Sequence, residues 1–199
     1  LLQRYQFPYT VFINPAIIGS RNDQLSWEDV QMMAEQGVSF ANHTQHHNHL
    51  LQRLADESDS NWLDRTMQDI DDAQAELERY VPNSPRYVAY PYGEFNAALK
   101  QALKAHNFVG FGQHSGAAGV TSDTGALPRF PAAGIYANLK TLKTKHNSIS
   151  MPIELNSFDP MQPLESIPTV TLALSEQRPT SAQVTCFFKN QPLELVRGN

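Results

Sequence analysis

The sequence predicts an α/β fold through about residue 150, either an α/β barrel or a doubly wound sheet, followed by a small β-rich segment. Short runs rich in β-branched and aromatic residues alternate there with stretches of helical periodicity, the pattern of strands joined by helices. Polar loops follow the strands, and three of them carry unusual residues: Asn42 to His49, Pro91-Tyr92-Gly93, and Gln113-His114-Ser115-Gly116. After Met151-Pro152 the helical pattern stops; Pro160, Pro163 and Pro168 punctuate a linker before strand-like runs alone.

Leu1 to Tyr5 reads as the tail of a helix broken by Phe7-Pro8, and Tyr9 to Ile13 is the first strand, closed by Asn14-Pro15. Ser26-Trp27-Glu28-Asp29 has the form of a capping box, opening a helix that stops at Gly37. Val38 to Ala41 is a short apolar run and the second strand. Trp62 to Val81 is an amphipathic helix, with Leu63, Met67, Ile70, Ala73 and Leu77 on one side. Its Asp64, Asp69, Asp71, Asp72 and Glu76 form a solvated face. Tyr87 to Tyr90 is the third strand, Asn96 caps a helix through Leu99 and Leu103 to Asn107, and Phe108 to Gly112 is the fourth strand. Leu127 to Pro131 is a short apolar piece holding one charge, Arg129, and Leu139 to His146 is the last helix. Thr169 to Leu174 and Gln183 to Phe188 read as strands. The expected division is therefore residues 1–151 and 152–199.

Bulk properties exclude several classes. Fifteen Lys and Arg against 20 Asp and Glu give a net charge of -5, whereas a nucleic-acid partner requires a basic surface. No apolar run is long enough to span a bilayer as a helix. A hydrophobic content of 41% suffices for a sizeable core, and a single cysteine, Cys186, rules out an internal disulfide. The chain opens at Leu1 without Met, so an upstream segment is expected.

Four of the seven histidines fall at positions 43, 46, 47 and 49. Neutral imidazole is the commonest protein ligand for transition metals, and ligands in βα architectures gather at the carboxyl ends of strands. His43 and His47 stand one helical turn apart, so a turn starting at His43 would project both rings to one side; His43 with His46 is an alternative pair. Catalytic zinc takes three protein ligands and keeps one open position, so a third ligand must come from elsewhere.

These motifs resemble the NodB-type polysaccharide deacetylases, carbohydrate esterase family 4. Asn42-His43-Thr44-Gln45-His46-His47 is similar to the family's His-Ser/Thr-x-x-His motif, and Tyr90-Pro91-Tyr92-Gly93 to its third motif. Leu2 to Ile13 resembles the segment after its first motif. The resemblance covers roughly residues 1–150 and implies a NodB-like distorted (β/α) barrel, incomplete at the N-terminus. It also implies a divalent metal, commonly zinc, on His43 and His47, with Thr44 supporting the loop. Pro91, Tyr92 and Gly93 then meet the substrate, and the Tyr92 N–H stabilises the oxyanion. The activity implied is hydrolysis of acetyl groups, N-acetyl or O-acetyl, from an acetylated polysaccharide or oligosaccharide, in an extracytoplasmic setting.

The chain departs from the family pattern at several points. Nothing matches the family's Thr-Phe-Asp-Asp motif, which supplies the base and the third metal ligand; its place would lie before Leu1. Ala89 stands where the family has an Arg, and Arg129 is the candidate replacement, weighed against a plain surface Arg. His114 is the substitute for the absent late His motif; His146 and Arg86 read as solvent-exposed and turn residues. Tyr5, Tyr9, Trp27, Tyr90 and Tyr92 include candidate sugar-stacking aromatics, most of them expected in the core. The alternative function is a non-catalytic carbohydrate-binding or adaptor protein on the same scaffold. An unrelated α/β protein with a fortuitous His loop would have His43 and His47 pointing apart.

Overall fold

A computed structural model describes residues 2–120 and 122–148, and the backbone of four strands beyond them. The chain divides into two compact units, Leu1–Ser150 and Met151–Asn199.

In the first unit four strands form one parallel sheet in sequential order: β1 (Thr10–Ile13), β2 (Ser39–Asn42), β3 (Tyr87–Ala89) and β4 (Val109–Phe111). The helices between them are α1 (Trp27–Glu35), α2 (Asp59–Tyr80) and α3 (Ala97–Ala105), and α4 (Leu139–His146) follows. A parallel bridge from Phe111 to Leu127 continues the sheet one position beyond β4, so the Leu127–Arg129 piece lies beside the strand ends. Parallel strands taken in order with right-handed crossovers put the helices on one face. That face carries Ile13, Phe40 and Val88, packed under Val30, Ile70, Leu77, Leu99 and Leu103. The opposite face carries Phe12, Ala41, Ala89 and Phe111, with the Phe12 and Phe111 rings 5.4 Å apart.

Local chemistry explains the element ends. Ser26 accepts from the Asp29 N–H at 3.1 Å while Asp29 accepts from the Ser26 N–H at 2.9 Å, the capping box that starts α1. Gly37, at φ +90°, ends it. Ser58, not Trp62, opens the long helix, because its hydroxyl accepts from the Asn61 N–H at 3.2 Å. Asn96 caps α3 on the Leu99 N–H at 2.9 Å. The first segment is a short 3-10 turn, Gln3–Tyr5. Gly110 is required by close approach: a β-carbon there would meet the Gly125 carbonyl oxygen at 2.2 Å and the Tyr90 hydroxyl at 2.6 Å.

Several expected roles change in the folded chain. The Trp27 ring lies 4.1 Å from that of Tyr80 at 7°, joining α1 to α2. Tyr90 is wholly buried and donates to the Gly125 carbonyl. Arg86 does more than occupy a turn. Its guanidinium lies 4.0 Å from the Phe108 ring, 3.4 Å from Asp71 and 3.8 Å from Glu78.

The second unit contains two antiparallel pairs, β5 (Ile153–Leu155) with β6 (Leu172–Leu174), and β7 (Cys186–Phe188) with β8 (Gln191–Leu193). The proline-punctuated linker at Pro160, Pro163 and Pro168 lies outside the described residues. Among the described residues no helix is long and apolar enough to cross a membrane.

Candidate active site at the strand ends

The histidine-rich loop leaves the carboxyl end of β2, and its shape is fixed by two buried asparagines. Asn42, wholly buried, donates to the Ile70 carbonyl of α2 at 2.8 Å and accepts the Thr44 N–H at 2.7 Å. Asn14, just past β1, donates to the carbonyls of both His43 and Thr44, the latter at 3.0 Å. These bonds hold Thr44 at φ +68°, a left-handed backbone that strongly disfavours a β-branched residue. Thr44 Oγ1 then accepts the His47 N–H at 3.1 Å, and His47 is itself left-handed at φ +56°.

The result is a bend, not the helical turn suggested by the spacing of 43 and 47. It still brings the two rings together, 4.7 Å between centroids at 75°.

The four imidazoles divide by what holds them. His43 Nδ1 is 2.6 Å from the Ala89 carbonyl, which makes Nδ1 the donor and leaves Nε2 with its lone pair. Burial lowers the His43 pKa below the ordinary imidazole value, the bond to Ala89 opposes this, and the nearby charges of His47 and Arg129 add to the lowering. The alternative pair, His43 with His46, does not form: His46 turns to α2, with Nδ1 2.6 Å from Asp69. Asp69 also accepts the Gln45 N–H at 3.0 Å, so one carboxylate read as solvated instead anchors this loop. His49 turns the other way, with Nδ1 2.8 Å from Glu94.

The Pro91–Gly93 turn follows β3 and faces the same loop. Tyr92 is left-handed at φ +56°, and Gly93 follows at φ +74°. The Tyr92 ring is edge-on to His47 at 4.8 Å and stacked on His49 at 4.0 Å and 12°. The turn's own hydrogen bonds run from Gly93 N–H to Tyr90 O and from Glu94 N–H to Pro91 O, and among the described residues the Tyr92 N–H has no acceptor.

Arg129 arrives from the position beyond β4. Its Nε donates to the Gly112 carbonyl at 2.8 Å, its guanidinium lies 5.8 Å from the Phe12 ring, and burial lowers its pKa. His114 stands over Phe95 at 5.9 Å, and burial holds its pKa down. His146 is exposed on α4. Among the described residues no group of three His, Cys, Asp or Glu is placed to hold a metal. The donor set therefore supplies two imidazoles, a fit to part of a catalytic site and not to a complete one.

Comparison with known proteins agrees with this architecture. The family model for polysaccharide deacetylase matches residues 1–111. A poly-beta-1,6-N-acetyl-D-glucosamine N-deacetylase of Staphylococcus epidermidis is 30% identical over 139 residues, 65% of this chain and 47% of that protein. The chain thus spans about half the length of that curated relative. A Streptococcus pyogenes deacetylase in complex with acetate superposes with a TM-score of 0.62 at 21% identity, over 72% of this chain and 61% of the other. A de-N-acetylase from Aggregatibacter actinomycetemcomitans gives 0.61 at 17% identity, over 72% and 67%. At these identities the superpositions show a shared fold.

Proposed function

The chain belongs to the polysaccharide deacetylase family, and from that premise we propose that residues 1–151 serve the metal-dependent hydrolysis of acetyl groups from a polysaccharide. The observation that carries this reading is the approach of His43 and His47 to 4.7 Å with Tyr92 against His47. In this reading the parallel sheet is an arc of a NodB-like (β/α) barrel. The substrate is an N-acetylated or O-acetylated glycan, the setting is extracytoplasmic, and residues 152–199 form a separate β-rich segment.

His43 and His47 would hold a divalent ion, zinc in this reading, which when bound supplies a Lewis acid for the acetyl carbonyl and acidifies a water. His43 is suited to it because the Ala89 carbonyl fixes its tautomer and burial keeps it neutral. Pro91 and Gly93 frame a turn that presents the Tyr92 N–H, a fixed dipole for the negative charge that grows on the carbonyl oxygen. Arg129, anchored on Gly112, adds positive charge on the same side of the sheet as His43.

The test is calorimetric titration with zinc, together with acetate release from N-acetylglucosamine oligomers, both on a form of the protein that also carries the family's Asp-Asp motif. The expected result is one zinc per chain, abolished in His43→Ala and His47→Ala, and acetate release that a chelator stops. Zinc bound with no acetate release from any acetylated glycan would overturn the enzyme reading. It would favour a non-catalytic carbohydrate-binding protein on this scaffold, which Ala89 in place of the family's Arg supports.

A further inference from the structure

Building on the deacetylase reading, we propose that His49 and Glu94 are positioning residues that clamp Tyr92 in its left-handed conformation and so fix the direction of its N–H. Tyrosine at φ +56°, ψ +5° sits in a region that disfavours an L-residue, and it persists only where its surroundings hold it. Once the ring is held, φ alone decides where the preceding peptide's N–H points. A return to negative φ with the ring in place would point that N–H in a different direction.

The holding contacts come from two loops. The His49 ring covers one face of Tyr92, stacked at 4.0 Å and 12°, while His47 meets its edge at 4.8 Å. His49 is in turn oriented by Glu94, two residues beyond Tyr92, through Nδ1 to Oε1 at 2.8 Å. The other Glu94 oxygen faces the Leu51 N–H at 3.5 Å, two residues beyond His49. Each loop therefore holds the other at two points, and the strained residue lies between them.

These contacts are poor candidates for a role in global stability. The His49 and Glu94 side chains are 51% and 28% exposed, and solvent-screened pairs of this kind add little to folding. An interaction that adds little to folding yet closes on a strained backbone beside a ligand pair is suited to fixing local geometry.

The experiment uses the chain, and for the kinetic and zinc measurements a form that also carries the family's Asp-Asp motif, with the variants His49→Ala, His49→Phe, Glu94→Ala and Glu94→Gln. Four quantities are read: the Tyr92 amide resonance in ¹⁵N-tyrosine-labelled protein, kcat and KM for acetate release from N-acetylglucosamine oligomers, zinc affinity, and melting temperature. In His49→Ala and Glu94→Ala the Tyr92 resonance should shift or broaden, and kcat should fall about 10- to 100-fold, less than the loss of a whole oxyanion donor. KM and zinc affinity should stay within about twofold and the melting temperature within about 2 °C, as for an exposed pair. Glu94→Gln, which keeps the acceptor, should restore most of kcat, and His49→Phe, which keeps the stack but not the bond to Glu94, should give a kcat close to that of Glu94→Ala.

An unmoved Tyr92 resonance in His49→Ala would overturn the proposal, as would a moved resonance with kcat intact. A parent chain that releases no acetate but shows the displaced resonance removes the deacetylase reading and leaves the clamp standing.

Discussion

Replacing Asn42 with alanine tests whether the loop backbone sets the approach of the His43 and His47 rings. Asn42 is wholly buried, and its side chain joins Ile70 of α2 at 2.8 Å to Thr44 of the loop at 2.7 Å. Alanine leaves the Thr44 N–H, itself fully buried, without its protein acceptor. An orphaned buried donor costs about 1–3 kcal/mol. The Ile70 carbonyl keeps its helical partner and adds less, and the space left by the amide adds roughly another 1 kcal/mol. The sum is about 2–4 kcal/mol, which in a unit of this size lowers the melting temperature by roughly 5–15 °C.

A second effect follows from the same bond. Without Asn42, Thr44 has less reason to remain at φ +68°, and the hydroxyl that places the His47 N–H drifts with it. Zinc affinity should then fall about 10- to 100-fold, the usual consequence of losing a group that orients a ligand. Differential scanning fluorimetry and zinc calorimetry on Asn42→Ala measure both effects. A melting temperature within about 2 °C of the parent would refute the packing argument. A large drop with zinc affinity unchanged would refute the link from Asn42 to the ligands.

Two further predictions concern the scaffold. The Arg65 guanidinium bonds Glu57 at 2.7 Å and 2.8 Å and holds its carboxyl at about 2, against an ordinary 4.5. Because the folded value is the lower one, this pair stabilises the protein fully above pH 4.5, and the contribution disappears as pH falls toward 2. Melting curves across that window should be steeper for the parent than for Glu57→Gln; equal slopes would show that the pair does not govern acid stability. In Gly110→Ala the new β-carbon would meet the Gly125 carbonyl oxygen at 2.2 Å, so overpacking should cost about 3 kcal/mol by denaturant titration. Adding Tyr90→Phe should not relieve it, since the backbone oxygen is nearer than the hydroxyl.

The elements of the first unit were legible because their signals are local. Alternating β-branched and aromatic runs, the Ser26/Asp29 box, the Asn96 cap and the apolar stripe of α2 are each written within a few residues. The identity of the loops was legible too, from residue types rather than geometry. What could not be read was how the loops are held. The Asn14 bonds to His43 and Thr44 span 29 and 30 positions, and those from His46 to Asp69 and His49 to Glu94 span 23 and 45. No periodicity encodes such pairs. Left-handed backbone at Thr44, His47 and Tyr92 was equally hidden, because local preference argues against it at each position and tertiary bonds override that preference.

That override explains why a cluster of four histidines yields one pair. Three rings are fixed through Nδ1, each by a different element: His43 by the Ala89 carbonyl at the end of β3, His46 by Asp69 on α2, His49 by Glu94 past the Pro91–Gly93 turn. Those acceptors lie in different directions, so the loop is spread, and His46 and His49 are drawn away from the point where His43 and His47 meet. His43 is the one tied to a neutral carbonyl at the sheet edge, which orients the ring without adding a charge. His47 is placed by its N–H on Thr44 and by ring contacts with His43 and Tyr92. The two rings and the Tyr92 N–H are therefore set by one continuous network of contacts. A change in any of Asn14, Asn42, Thr44, His49 or Glu94 should be felt at a ring or an N–H that it does not itself provide.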